Sequence, residues 1–143
     1  MEVFFPGSSG VQQNFAIEFV ELTAEAPTLV GPLAVTPYQV LHASGAPPFA
    51  LRVLYSGKVI TYSGDTEWTD ALLQAARGAD LFICEAYFFA KKVKYHLDYE
   101  TLMQHRSELG CRRLIVTPMN EEMLIQLPDL EVEAAEDGKR IIL

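Results

Sequence analysis

The chain has 143 residues, 50% of them hydrophobic, with a formal net charge of -8 and a pI near 4.8. That charge argues against a protein that binds nucleic acid mainly through a basic surface, because neutralising phosphates takes clustered Lys and Arg. The apolar content excludes a disordered chain, and the length suits a single domain over residues 1–143 with a sizeable core. No stretch approaches the roughly 20 continuous apolar residues of a membrane span. Met1-Glu2-Val3-Phe4-Phe5 lacks the positive start of a signal peptide, so the expectation is a soluble, cytoplasmic chain.

The amino-terminal part reads as short strands: Val3 to Phe5, Phe15 to Leu22, Leu33 to Leu41, Ala50 to Tyr55 and Lys58 to Tyr62. Ser56-Gly57 is a hairpin turn, and Ala43 to Pro48 is an irregular loop of small residues and proline. From Thr66 the hydrophobic period changes. Trp68, Leu72, Ala75 and Ala76 share a helical face over Glu67 to Arg77, with Thr66 as cap and Gly78 as stop. Leu81 to Glu85 is a continuous apolar run of the buried-strand kind. A second helix follows, capped by Asp98, with Tyr99, Leu102, Met103 and Leu109 inward and Gly110 as its end. Arg113 to Val116 is another buried strand, Glu121 to Leu127 a short helix, and Val132 and Arg140 to Leu143 are closing strands. This order predicts an α/β fold, a mixed sheet with helices on at least one face.

Asp65 is the foremost candidate for chemistry, because Val59 to Thr66 drives an apolar strand into Gly64 and presents a carboxylate at its end. Taken alone, it is equally a turn aspartate capping the next helix. His42 ends the Val40-Leu41 strand and is either a ligand or a hydrogen-bonded structural residue. His96 follows Lys91, Lys92 and Lys94, where it can meet a phosphate or simply lie on the surface. Glu85 closes an apolar strand, where a carboxylate needs a partner; it either orients a histidine or makes a salt bridge at the sheet edge. The short cationic groups Lys91, Lys92, Lys94 and Arg112-Arg113 read as solvated surface. Cys84 and Cys111 have no Cys-x-x-Cys spacing and read as buried reduced thiols, and Met119 with Met123 as packing.

These segments, in this order, resemble the carboxyl-terminal part of metallo-β-lactamase-fold hydrolases, in particular the ribonuclease Z-like and phosphodiesterase-like branch. The resemblance rests on Val40-Leu41-His42, Leu51-Arg52-Val53, Tyr62-Ser63-Gly64-Asp65-Thr66, Ala79 to Ala86, His96 before a helix, and Arg113 to Asn120. It implies half of an αββα sandwich. It also implies zinc as the cofactor, with His42 and Asp65 as metal ligands and His96, helped by Glu85, as the catalytic pair for phosphodiester cleavage.

Two departures bear on activity. No His-x-His-x-Asp-His stretch occurs, although in the family it supplies most ligands, and Pro118 stands where the family has its last ligand histidine. The resemblance therefore implies a chain incomplete or inactive by itself, with zinc weak or absent. The alternative is an active zinc hydrolase with a reduced site including His96, or one shared between subunits. Half a sandwich would also leave an apolar sheet face open. The expected cover is a second copy, giving a homodimer, or a separate amino-terminal half.

Overall fold

The computed structural model describes residues 10, 14–16, 18–117 and 119–143. Among them, seven strands lie in one sheet in sequence order: β1 (Thr28–Val30), β2 (Leu33–Gln39), β3 (Phe49–Tyr55), β4 (Lys58–Tyr62), β5 (Leu81–Cys84), β6 (Leu114–Val116) and β7 (Glu133–Ala134). The first four pair antiparallel through short turns. Ser56 and Gly57, at φ 48° and 76°, form the two-residue turn between β3 and β4, whose left-handed backbone matches the twist of the strands. From β4 onward the pairing is parallel, and the crossovers carry α1 (Ala71–Ala76), α2 (Tyr99–Gln104) and α3 (Glu121–Ile125). This is the mixed α/β sheet that the sequence predicts.

Register decides which residues face the helices, because residues opposite each other across a ladder share a face. Arg52 pairs with Thr61, and both side chains donate to the Ala75 carbonyl at the end of α1. Their row continues through Phe82 and Leu114, and the next row through Cys84 and Val116. These apolar residues are buried with Leu72, Ala75 and Ala76 of α1, Leu102 of α2, and Met123 of α3. Each large apolar side chain so buried contributes about 1.5–3 kcal/mol. The Arg52 guanidinium also reaches the Arg77 carbonyl, at 2.8 Å, and so places positive charge at the helix carboxyl end.

The opposite face carries Leu51, Val53, Ile60, Tyr62 and Ile83, and of these Ile60 and Tyr62 are exposed. Ile141 and Leu143 line an apolar groove of about 430 Å³ together with Leu33, Val53, Tyr55 and Ile60 of this face.

Several sequence expectations shift. Val3 to Phe5 lies outside the described residues. Among the described residues of Phe15 to Leu22 there is no strand; Phe15 and Phe19 are exposed, and no neighbouring strand pairs with the segment. β1 takes the edge instead. The first helix begins at Ala71 rather than Glu67, because Thr66 spends its hydroxyl on Leu41 and Glu67 instead of capping. Asp98 does cap α2, accepting the Thr101 N–H at 2.9 Å, but the helix ends at Gln104, and turns carry the chain to the buried Leu109. The last helix ends at Ile125 and a 3-10 turn covers Leu127–Asp129. The closing strand is Glu133–Ala134, whereas Arg140 to Leu143 form none.

Both thiols are free and buried, as expected, and burial pushes the Cys84 thiol far up. Met123 is a core residue and Met119 packs beside it. No helix among the described residues is long and apolar enough to cross a membrane.

Candidate metal centre

β2 runs parallel to β4, since both are antiparallel to β3, so β2, β4 and β5 present their carboxyl ends at one edge of the sheet. His42, Asp65 and Glu85 follow those three ends, and His96 enters from the loop between β5 and α2. This is the edge at which ligands collect in sheets of this kind.

The structure brings His42, Asp65 and His96 together: one donor atom from each lies within 4.8 Å of the others. His42 Nε2 is 4.0 Å from Asp65 Oδ2, and the two imidazoles meet edge to face at 5.4 Å between centroids. The two histidines are half-buried and Asp65 is exposed, so the cluster opens to solvent.

Glu85 explains how His96 is held. Its side chain is wholly buried, and Oε1 lies 2.6 Å from His96 Nδ1. Oε2 accepts the Thr66 N–H at 2.6 Å and the Leu97 N–H at 3.4 Å. Its own backbone N–H donates to Ser63 Oγ at 2.8 Å. Burial raises the Glu85 carboxyl above its ordinary range, opposed by the bonds from Thr66, His96 and Leu97. Of the two partners open to Glu85, a histidine or a cation at the sheet edge, the carboxylate meets the His96 ring. With Nδ1 engaged, Nε2 is the nitrogen of His96 free for a cation, the usual arrangement behind a metal-bound histidine.

The turn carrying Asp65 is just as constrained. Gly64 has φ +63°, and a Cβ there would sit 3.3 Å from the Phe49 carbonyl. Asp65 then leads into Thr66, whose buried Oγ1 accepts the Leu41 N–H at 3.1 Å and donates to the Glu67 carbonyl. Sequence reading missed Ser63 and Thr66 as supports of the site; the hydroxyls flanking Gly64-Asp65 were the available signal. Next to His96 lies a groove of about 310 Å³ lined by Glu67, Trp68, Lys92, Lys94 and Thr101. Tyr95 holds φ +71° at its rim, an uncommon backbone state for a bulky side chain.

The lysines of the 91–94 loop, and the Arg112-Arg113 pair at the opposite edge of the sheet, are already engaged. Lys92 pairs with Asp98 at 2.8 Å, Lys91 and Lys94 stand over the rings of Phe88 and Tyr95, and Arg112 pairs with Asp80. Arg113 makes a two-pronged bond to Glu133.

The donor set fits zinc. A catalytic zinc usually takes three protein ligands from imidazole and carboxylate at about 2.0–2.2 Å and keeps one position open. The present separations need a modest inward closure of the three side chains, of which Asp65 is exposed and the histidines half-buried, to meet that. Pro118, where the family's last ligand histidine falls, lies outside the described residues.

A mixed sheet with short helices and a His/Asp/His cluster at its carboxyl edge is part of a metallo-β-lactamase-type fold. The metallo-beta-lactamase fold protein YhfI from Bacillus subtilis superposes with a TM-score of 0.69 at 16% identity, over 93% of this chain and 58% of that one. Zinc-bound PqqB from Methylobacterium extorquens superposes with a TM-score of 0.67 at 13% identity, over 85% of this chain and 55% of its own. The family described as the beta-lactamase superfamily domain matches residues 3–119, and the chain belongs to it. An uncharacterized protein of Mycobacterium tuberculosis is 43% identical over 96 residues, which cover 64% of this chain and 34% of that protein. Ribonuclease Z of Bacillus velezensis is 32% identical over 66 residues, covering 43% of this chain and 21% of the enzyme. The chain thus spans about a third or less of the curated relatives it matches.

Proposed function

We propose that the chain carries one wall of a metal-dependent hydrolase centre, in which His42, Asp65 and His96 hold a single divalent cation, zinc being the ion their chemistry suits. The convergence of these three donors at one sheet edge carries this reading. Bound zinc would supply Lewis acidity and an acidified water. Glu85 fixes the His96 ring, Asp65 brings negative charge to the cation, and the groove beside His96 admits a substrate. Phosphodiesters are the proposed substrate class, supported by the likeness to ribonuclease Z. Among these 143 residues no other histidine except His105 remains, and it is occupied with Glu108 and stacked on Trp68. A second cation would therefore need ligands from outside these 143 residues, and the 143 residues alone bind zinc weakly and turn over little or nothing.

Purification without metal, zinc titration followed by calorimetry, and an assay on a chromogenic phosphodiester test this together. One zinc per chain, lost in Asp65→Ala, is the expected result, with hydrolysis at the level of free zinc. No zinc above background would refute the site. Zinc-dependent turnover abolished by Asp65→Ala would instead establish the complete-enzyme alternative. We further propose that a second copy covers the exposed Ile60 and Tyr62 face. A monomer in sedimentation at micromolar concentration would exclude that.

A further inference from the structure

We propose that Thr66 is a positioning residue that locks the three metal-binding segments into their convergent arrangement before any cation arrives. This inference rests on the reading of His42, Asp65 and His96 as a metal site. Thr66 is wholly buried, and it bonds to the His42 segment directly and to the His96 segment through Glu85. Its Oγ1 accepts the Leu41 N–H at 3.1 Å, one residue before His42. The neighbouring Glu67 N–H returns a bond to the Leu41 carbonyl at 3.1 Å, so the end of β2 is stitched to the turn at two points. The Thr66 N–H goes to Glu85 Oε2 at 2.6 Å, and the other oxygen of that carboxylate holds His96. Asp65 is directly bonded to Thr66 in the chain.

The helix-cap role expected of this threonine is not the one it performs. A capping hydroxyl would turn toward the first amides of α1; this one turns backward to the His42 strand and to its own neighbour's carbonyl. A site preassembled by such a bond loses less freedom when the metal binds, which is how a group outside the ligand set raises affinity. Deleting the hydroxyl while keeping the shape releases the Leu41 amide and lets the His42 segment drift, with the Thr66 N–H to Glu85 left in place. Weakening therefore falls on His42 first.

Thr66→Val and Thr66→Ser of the 143-residue chain, titrated with zinc alone, test this. Thr66→Val is expected to weaken zinc binding about tenfold, and Thr66→Ser to stay within about twofold of the parent. An equal zinc constant in parent and folded Thr66→Val would overturn the inference while leaving the metal site standing. A parent chain that binds no zinc overturns both. A merely structural threonine would lower the thermal midpoint and leave the zinc constant of the folded chain unchanged. Should Thr66→Val fail to fold, hydrogen exchange at the Leu41 amide of the metal-free parent decides. Protection comparable to the β2 amides is expected, and exchange as fast as in the 43–47 loop overturns the inference.

Discussion

Replacing Glu85 by Gln and by Ala separates what this carboxylate does for the fold from what it does for the site. In Glu85→Ala the Thr66 N–H and the Leu97 N–H lose their acceptor in a closed interior, and His96 Nδ1 loses its partner. A buried donor left unsatisfied costs about 1–3 kcal/mol. The Leu97 contact is long at 3.4 Å and the His96 ring reaches solvent, so the Thr66 amide dominates. The sum is about 3 kcal/mol, a large part of the roughly 5–15 kcal/mol that holds a domain together. Glu85→Gln is different. Its amide oxygen takes the place of Oε2 and keeps both backbone donors, and the substitution removes a charge that burial already disfavours. Its stability cost is about 1 kcal/mol or less.

The amide nitrogen then has to face His96 Nδ1, which reverses the direction of that hydrogen bond. A ring that must accept at Nδ1 carries its proton on Nε2, the nitrogen needed for the cation. Zinc affinity should fall about 10- to 100-fold in Glu85→Gln despite near-parental stability. Urea denaturation followed by tryptophan fluorescence, from the lone Trp68, gives the stability, and calorimetric titration gives the zinc constant. A Glu85→Gln chain with the parental zinc constant would refute the argument, since it would mean that His96 is not a ligand or that Glu85 does not set its tautomer.

Two further outcomes test the framework around the site. Gly64→Ala forces an L-residue to φ +63° and drives its Cβ toward the Phe49 carbonyl, so it should cost about 1–2 kcal/mol and lower the thermal midpoint; an unchanged midpoint would contradict the strain argument. Glu133, held by Arg113, has its carboxyl depressed to about 2, so its contribution is present above the ordinary carboxylate range and is lost as pH falls through about 2. Because both partners are more than a third exposed, that contribution is under about 1 kcal/mol, and Glu133→Gln should flatten the acid limb of the stability profile by no more than this; an identical acid limb would show that the pair contributes nothing.

The sheet was legible wherever hydrophobic pattern and turn chemistry agreed. Ser56-Gly57 announces its hairpin, Asp98 announces its helix, and the Leu81 to Cys84 and Leu114 to Val116 runs read as inner strands of the sheet. Phe15 to Leu22 misled because an apolar segment reads as a strand whether or not a neighbour offers it a ladder. β1 was invisible because three residues carry no period, and only pairing with Leu33 to Val35 defines them. The site was legible as residues but not as an assembly. Sequence named His42, Asp65, Glu85 and His96, yet nothing local says that the 91–96 loop folds back over Glu85. Thr66 was visible only as a cap, since a hydroxyl's choice between the next helix and a strand 25 residues away is made by tertiary structure.

The open face of the sheet and the edge that carries the site meet at Tyr62. This side chain ends β4 on the face away from the helices, paired in register with Leu51 and Ile83, and it is exposed. Its hydroxyl is nonetheless raised above its ordinary range, first by partial burial and then by the negative charges of Asp65 and Glu85. Tyr62 therefore feels both the open apolar face and the carboxylates of the site. A protein body that packs on Ile60 and Tyr62 would lie beside the strand end that leads to Asp65, and the proposed centre needs further ligands there. Under the proposed reading, covering the face and completing the centre are one event, so zinc affinity should rise with protein concentration if a second copy is the cover. Zinc constants identical across a hundredfold range of chain concentration that spans the association midpoint would separate the two and assign the missing ligands elsewhere.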